Sequence, residues 1–277
     1  MRLPSSPSAG KFRIRLYDLN SSFFLTLENG STFSDFIYDT SGVVTRDTSA
    51  VDFLVDEEDG VYLVGAAFTT LATVTSVLLY IYPDVASSSQ SVEVATPQLE
   101  AGSTPSSYIP TSGATATRAA ETLTIPAANL PYSATAMSIA MQGKVTYADE
   151  GVFGQHVFYR WFDDSSNNIQ LTLDTLAGTG GAVFSQSSAG TSDVVLSDAD
   201  QYSPGVNVPF NIASRHGSTF INGAVDGTAL TENTTPTALP DLSTTDLQLG
   251  SDFMGTIKTF RMWADDISDV GIEEASS

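Results

Sequence analysis

Asp163-Asp164-Ser165-Ser166-Asn167-Asn168-Ile169-Gln170-Leu171-Thr172-Leu173 is the stretch that decides the fold class. Its first six residues are turn formers, whose short polar side chains bond the local backbone and favour a chain reversal. The next five alternate apolar and polar without interruption. Ile169, Leu171 and Leu173 therefore share one face of a strand, with Gln170 and Thr172 on the other. The apolar run 152–161 precedes the turn, so this part of the chain is built from strands and tight reversals.

Working outward, the same pattern recurs. Residues 137–145 form a strand upstream, after strands resume near Leu123. Downstream, 210–213 and 219–221 flank Arg215-His216-Gly217-Ser218, which the pattern makes a hairpin tip with His216 in solvent and His156 on a strand. Asn222-Gly223 and Asp226-Gly227 are tight-turn pairs, and Gly178-Thr179-Gly180-Gly181 is a further turn that lacks the Lys-Ser/Thr of a phosphate loop. Residues 247–249 and 257–263 are closing strands. Only 268–275 has helical character, with Ser268 as its N-cap. Before residue 96 the alternation predicts six or seven short strands, at 12–17, 23–27, 33–38, 61–64, 76–82 and 91–95, with turns at Asn29-Gly30-Ser31 and Ser41-Gly42. The turn spacing is that of a β-sandwich. No fixed period is present, which argues against a propeller or solenoid.

Composition narrows the chemistry. The 277 residues carry 32 Asp+Glu against 11 Lys+Arg, a formal net charge of −21. An acidic chain with no basic run lacks the electropositive footprint of a nucleic-acid binder. Charged residues are only 16% and apolar residues 42%, so the chain can build cores and is not an acidic disordered tail. Hydroxyl residues replace charge, with 35 Ser and 32 Thr, which suits half-buried strands. The absence of Cys removes disulfides, thiolate metal sites and thiol nucleophiles. Two His leave little scope for histidine-based metal or triad chemistry. The apolar stretch 61–82 is broken by Gly65 and several Thr and is read as strands, not as a membrane insertion. The N-terminus has no apolar signal-peptide core.

Between these halves lies PQLEAGSTPSSYIPTSGATATRAAETLTI, residues 97–125. Its Pro, Gly and hydroxyl content cannot form a core, yet it keeps Leu99, Tyr108 and Ile109 at spacings suited to an extended chain. The expectation is an ordered strap whose Leu99, Tyr108 and Ile109 anchor it on a sandwich, with Arg118 paired to a carboxylate. The segment resembles a recurring connector of tailed-bacteriophage virion proteins, through Gln98, Leu99, Glu100, Gly102, Ser103, Tyr108, Ile109, Pro110, Thr111, Thr117, Arg118 and Ala119. The C-terminal half is similar to concanavalin A-like, laminin-G-like sandwiches, through 220–224, 247–251, 253–257, 260–263 and 267–269.

The resemblance implies an all-β protein of two tandem sandwiches. Residues 1–96 would be a shortened jelly-roll of carbohydrate-binding-module type, 97–119 the connector, and 120–277 the concanavalin A-like domain. Such proteins usually begin with further strands, so the first sandwich is either shortened or has an open edge completed by another protein. The implied function is that of a non-enzymatic virion structural protein (head spike or decoration, baseplate or tail-fibre component). It would sit in the virion as a homo-oligomer among other virion proteins and attach to host surface polysaccharide. A glycan-cleaving enzyme on the same scaffold and a pure scaffold without glycan binding are the alternatives.

Candidate ligand residues follow from residue type. Tyr159, Trp161, Tyr202 and Trp263 carry rings able to stack on sugars, although strand aromatics more commonly fill cores. Asp163, Asp164 and Asn167 offer hard oxygen ligands for Ca²⁺, without EF-hand spacing and within a stretch whose plainer role is a solvated turn.

Overall fold

A computed structural model describes residues 13–18, 23–29, 36–39, 53–56, 62–65, 77–82, 93–102, 104–119, 121, 123–148, 155–175, 180–251 and 253–277. The expected turns at Asn29-Gly30-Ser31 and Ser41-Gly42, and Gly178-Thr179, lie wholly or partly outside these. The chain divides into two units, Met1–Ala116 and Thr117–Ser277. Residues 97–116 of the connector thus cluster with the first unit, and 117–119 with the second.

In the first unit, β1 (Arg13–Asp18), β2 (Phe23–Asn29), β3 (Phe36–Asp39) and β6 (Val77–Tyr82) form an antiparallel sheet in the order β3-β2-β1-β6. The segments β4 (Phe53–Asp56) and β5 (Tyr62–Gly65) pair separately as a hairpin. The expected strand at 91–95 is reduced to a single bridge residue, Glu93, among the described residues. On the edge strand β6, the successive residues Leu78, Leu79 and Tyr80 are all exposed.

The connector is ordered by hydrogen bonds, not by the apolar anchors expected of it. Leu99 is 69% and Tyr108 47% exposed, while Ile109 is half-buried and Arg118 exposed. Instead, Gln98 Oε1 accepts the Ile109 N–H at 2.7 Å. Glu100 accepts the Ser106 N–H at 2.7 Å and its hydroxyl at 2.6 Å, and Gln98 Nε2 donates to Glu100 at 3.0 Å. Partial burial opposes the Glu100 charge, but these donors hold its carboxyl below the usual value. Polar side chains close this loop by satisfying its backbone groups.

The second unit is a two-sheet sandwich. One sheet runs β12-β11-β10-β9-β16-β7 and the other β15-β14-β13-β8-β17, every pair antiparallel. The strands are β7 (Leu123–Ile125), β8 (Ala136–Tyr147), β9 (Gln155–Asp164), β10 (Asn167–Asp174), β11 (Ala182–Ser188), β12 (Thr191–Leu196), β13 (Gly205–Gly217), β14 (Ile221–Val225), β15 (Thr228–Ala229), β16 (Leu247–Leu249) and β17 (Gly255–Trp263). Inward faces interdigitate in one core. Trp161, Ile169, Leu171 and Phe184 come from the first sheet, and Ile139, Met141, Phe210 and Ile212 from the second. Phe158 meets Phe210 edge-on at 4.7 Å between ring centres.

Two predicted turns prove to be strand. Arg215 and His216 lie within β13 and are buried, so the reversal comes later, around Ser218 and Thr219. Asn222-Gly223 lies in the middle of β14. A Cβ on Gly223 would sit 2.5 Å from the Phe184 ring of the opposite sheet, so glycine is needed there for sheet contact. The real turn is Asp226-Gly227, both with positive φ, of 47° and 80°.

The outer face of the five-stranded sheet carries two adjoining rows. Ala140, Ala213 and Ala224 lie beneath Ile272 of α1 (Ser268–Ala275), their small side chains letting the helix approach. Trp263 and Ile267 complete that cluster. One residue pair along, Ser138, Arg215 and Asn222 grip the segment leading into the helix. Ser138 Oγ donates to the Asp265 carbonyl at 2.9 Å, and Asn222 Nδ2 to Asp269 at 2.8 Å. Arg215 donates to Asp269 at 2.8 Å, Asp266 at 3.1 Å and Glu232 at 2.6 Å. Burial opposes the Arg215 charge, but the three carboxylates outweigh it and raise its pKa. Ser268 is not the cap that sequence suggests. It makes no capping bond, and Asp266 Oδ1 instead accepts the Ser268 N–H at 2.8 Å.

Replacing Arg215 by Met leaves three carboxylates clustered without their cation. The expected loss is about 3–5 kcal/mol by urea denaturation, with hydrogen exchange rising first in α1. In the connector, Glu100→Ala is expected to accelerate limited proteolysis between Gly102 and Thr117, whereas Tyr108→Ala, on an exposed ring, leaves the cleavage rate unchanged.

Candidate functional site

Three of the four aromatic residues expected to stack on sugars are core. Trp161 is fully buried, Tyr159 1% and Tyr202 3% exposed, and none has a ring face for a ligand. Trp263 is half-buried in the cluster beneath α1. Burial is the cause: each ring sits on an inward or helix-covered face, where its area stabilises the sandwich.

The oxygens considered for Ca²⁺ serve the turn between β9 and β10. Asp164 Oδ1 accepts the N–H groups of Ser166 at 2.7 Å and Asn167 at 2.9 Å, and Asn167 Oδ1 accepts the Ala189 N–H at 3.2 Å. Among the described residues no three His, Cys, Asp or Glu side chains gather as a metal site would require. Asp163 is different. It is exposed, and among the described residues it makes no hydrogen bond or ion pair.

Asp163 instead lines a shallow cleft on the outer face of the six-stranded sheet. The lining is Thr124, Arg160, Phe162, Asp163, Thr244, Thr245, Asp246 and Gln248, around a space of about 770 Å³. Strand register builds it. Gln248 pairs with Thr124 on one side and Arg160 on the other, so the three side chains stand in one row. Their neighbours Ile125, Leu247 and Trp161 form the matching row in the core.

The third wall, Thr244–Asp246, belongs to the long segment from β15 to β16. The buried Trp161 Nε1–H donates to the Thr245 carbonyl at 2.7 Å, and Asp246 Oδ1 accepts the Ala127 N–H at 2.8 Å. Trp161 therefore touches the cleft from beneath, as a support for its wall.

Arg160 is the cleft's only cation. Its guanidinium carbon sits over the Phe162 ring, 3.6 Å from the centre. Its Nε is buried without a hydrogen-bond partner, and among the described residues no ion pair joins it to Asp163 or Asp246. A guanidinium packed over an aromatic ring, beside the unengaged Asp163 carboxylate and the Gln248 amide, suits a polar ligand carrying both donors and acceptors. Sequence reading did not single out Arg160, Phe162 or Gln248. The available signal was their place in the outward phase of strands whose inward phase was legible.

No family model matches the chain. No curated protein matches it either. Among solved structures, similarity extends over about half the chain. A Ruminococcus gnavus IT-sialidase CBM40 bound to α2,3-sialyllactose matches at 13% identity and TM-score 0.41, over 52% of this chain and 84% of that one. A leech intramolecular trans-sialidase matches at 14% identity and TM-score 0.40, over 52% of this chain but only 23% of that one. A botulinum neurotoxin serotype D binding domain matches at 10% identity and TM-score 0.39, over 51% of this chain and 36% of that one. Likenesses this distant bear on nothing beyond the sandwich architecture.

A second polar cluster lies between the sheets. Tyr159 OH meets Ser214 Oγ at 2.7 Å, and Ser214 Oγ meets His216 Nε2 at 3.1 Å. All three residues are buried, and none lines the cleft, so this Ser–His pair has no route to a substrate there. It is an internal hydrogen-bonded chain. Burial pushes His216 down to about 3 and raises Tyr159.

The unfolded chain therefore binds a proton at His216 near pH 6.5 that the folded protein refuses until about pH 3. Folding stability is expected to fall as pH drops through that window, by up to roughly 5 kcal/mol from this group. The check is the pH dependence of urea midpoints. His216→Gln, which has no charge to acquire, is expected to flatten the slope between pH 6 and 4 relative to wild type.

Proposed function

We propose that the protein is a non-enzymatic virion component whose second unit binds a host surface glycan through the Arg160 cleft. The observation that carries the binding half is the outward row Thr124–Gln248–Arg160 lining one cleft with Asp163, which is unengaged among the described residues. Sugars present closely spaced hydroxyls that donate and accept at once, the complement of a cleft holding both amide and charged groups. The virion half rests on the resemblance of residues 97–119 to phage connectors. Among the described residues β6 is the last strand of its sheet, and such an edge suits cover by another virion protein or a second copy.

Asp163 and Asp246 line one cleft, which is the observation favouring a glycan-cleaving enzyme, since glycosidases work with paired carboxylates. Against that role, one Asp246 oxygen is already engaged by the Ala127 N–H in the wall of the cleft. Reducing-end release from host polysaccharide, above background, would establish the enzyme.

The test of binding is a glycan array with the full chain, followed by calorimetry on the best hit. Arg160→Ala is expected to weaken that hit about tenfold or more, the range for hydrogen bonds to a charged group, with the melting temperature unchanged. Retained affinity would remove the cleft from the function. Mass spectrometry of purified particles tests the virion assignment, and absence of the chain there would overturn it.

A further inference from the structure

The cleft's charge arrangement narrows the ligand beyond glycan in general. We infer that the Arg160 cleft takes a neutral sugar, recognised through a pair of adjacent hydroxyls bridging Arg160 and Asp163, and discriminates against carboxylate- or sulfate-bearing glycans. This rests on the cleft being the glycan site.

Three observations carry it. First, the lining holds one cation, Arg160, against two carboxylates, Asp163 and Asp246. An anionic ligand would gain one attraction and meet two repulsions, on a chain whose formal net charge is already −21. Second, Asp163 is exposed, and its oxygens are taken up by nothing among the described residues, unlike those of Asp164, which hold the turn. A free acceptor beside a free donor is satisfied by a group that offers both. A hydroxyl does so, and a carboxylate or sulfate, acceptor-only when ionised, does not. Third, Arg160 packs over the Phe162 ring, with Gln248 and Thr124 beside it in the same row. Two neighbouring hydroxyls spanning such a fork gain without losing much side-chain freedom.

The two ligand classes respond oppositely to loss of Asp163. For a neutral diol, Asp163→Ala removes an acceptor and weakens binding. For an acidic sugar, it removes a repulsion and strengthens binding. Asp163 is exposed and bonded to nothing else described, so the variant is expected to fold normally.

The experiment uses the full chain and a glycan array holding matched neutral, sialylated, uronic-acid and sulfated oligosaccharides, with calorimetry of wild type and Asp163→Ala on the best hit. Neutral hits, weakened about tenfold by Asp163→Ala, support the inference. Hits confined to acidic glycans, or tighter binding by Asp163→Ala, overturn it while leaving glycan binding in place. Neutral hits that Asp163→Ala leaves unchanged overturn the diol bridge. An array without hits overturns the glycan reading itself, and this inference with it.

Discussion

The pairing of Leu247 with Trp161 on one side and Ile125 on the other is the constraint on which the second unit depends. Because strand side chains alternate, that register sends three apolar residues into the core. The same register sends Gln248, Arg160 and Thr124 to the opposite face. A slip of one residue would expose the indole and bury the guanidinium, at a cost in lost apolar burial and unpaired charge. Core and cleft are thus two sides of one set of backbone hydrogen bonds. Trp161 adds a direct link, since its buried ring fills the core and its N–H holds the Thr245 carbonyl in the cleft wall.

The five-stranded sheet solves the equivalent problem differently. Its outer face is closed by α1, which needs a shallow surface to reach Ile272's contacts with Ala140, Ala213 and Ala224. Beside that alanine row, Arg215 gathers Glu232, Asp266 and Asp269. In a chain so rich in acids, one buried cation neutralises repulsion that would otherwise push the C-terminal segment away. The pair of rows makes the helix dock in one position, the apolar row supplying area and the polar row supplying direction.

The segment from β15 to β16 crosses from one sheet to the other and is held along its length by polar side chains of the six-stranded sheet. Gln186 Nε2 donates to the carbonyls of Gly217 at 3.0 Å and Ala238 at 2.6 Å, Asp193 accepts the Thr237 N–H at 2.7 Å, and Trp161 holds Thr245. A connection this long needs its backbone groups satisfied where sheet pairing cannot do it.

Much of this was legible from residue order. Alternation located the all-β class, the run 169–173, the closing strands and the 268–275 helix, because period and burial are local consequences of which face meets the core. Turn chemistry was legible at Asp226-Gly227 but misleading at Asn222-Gly223. There, glycine answers the Phe184 ring of another sheet and asparagine answers Asp269, neither of which is near in sequence. His216 and Arg215 looked like a polar hairpin tip. Only the sandwich shows that one points between the sheets to Ser214 and the other under the helix to three acids. Trp161, Tyr159 and Tyr202, candidates for sugar stacking by residue type, are core, whereas the cleft went unseen. Its members Thr124, Arg160 and the pair Asp246 and Gln248 come from three places in the chain, brought together by strand register. Alternation along one strand is set by its own backbone geometry, so the sequence suffices to find it. Which strand lies beside which is set by burial summed over both sheets, and that is a property of the folded chain alone.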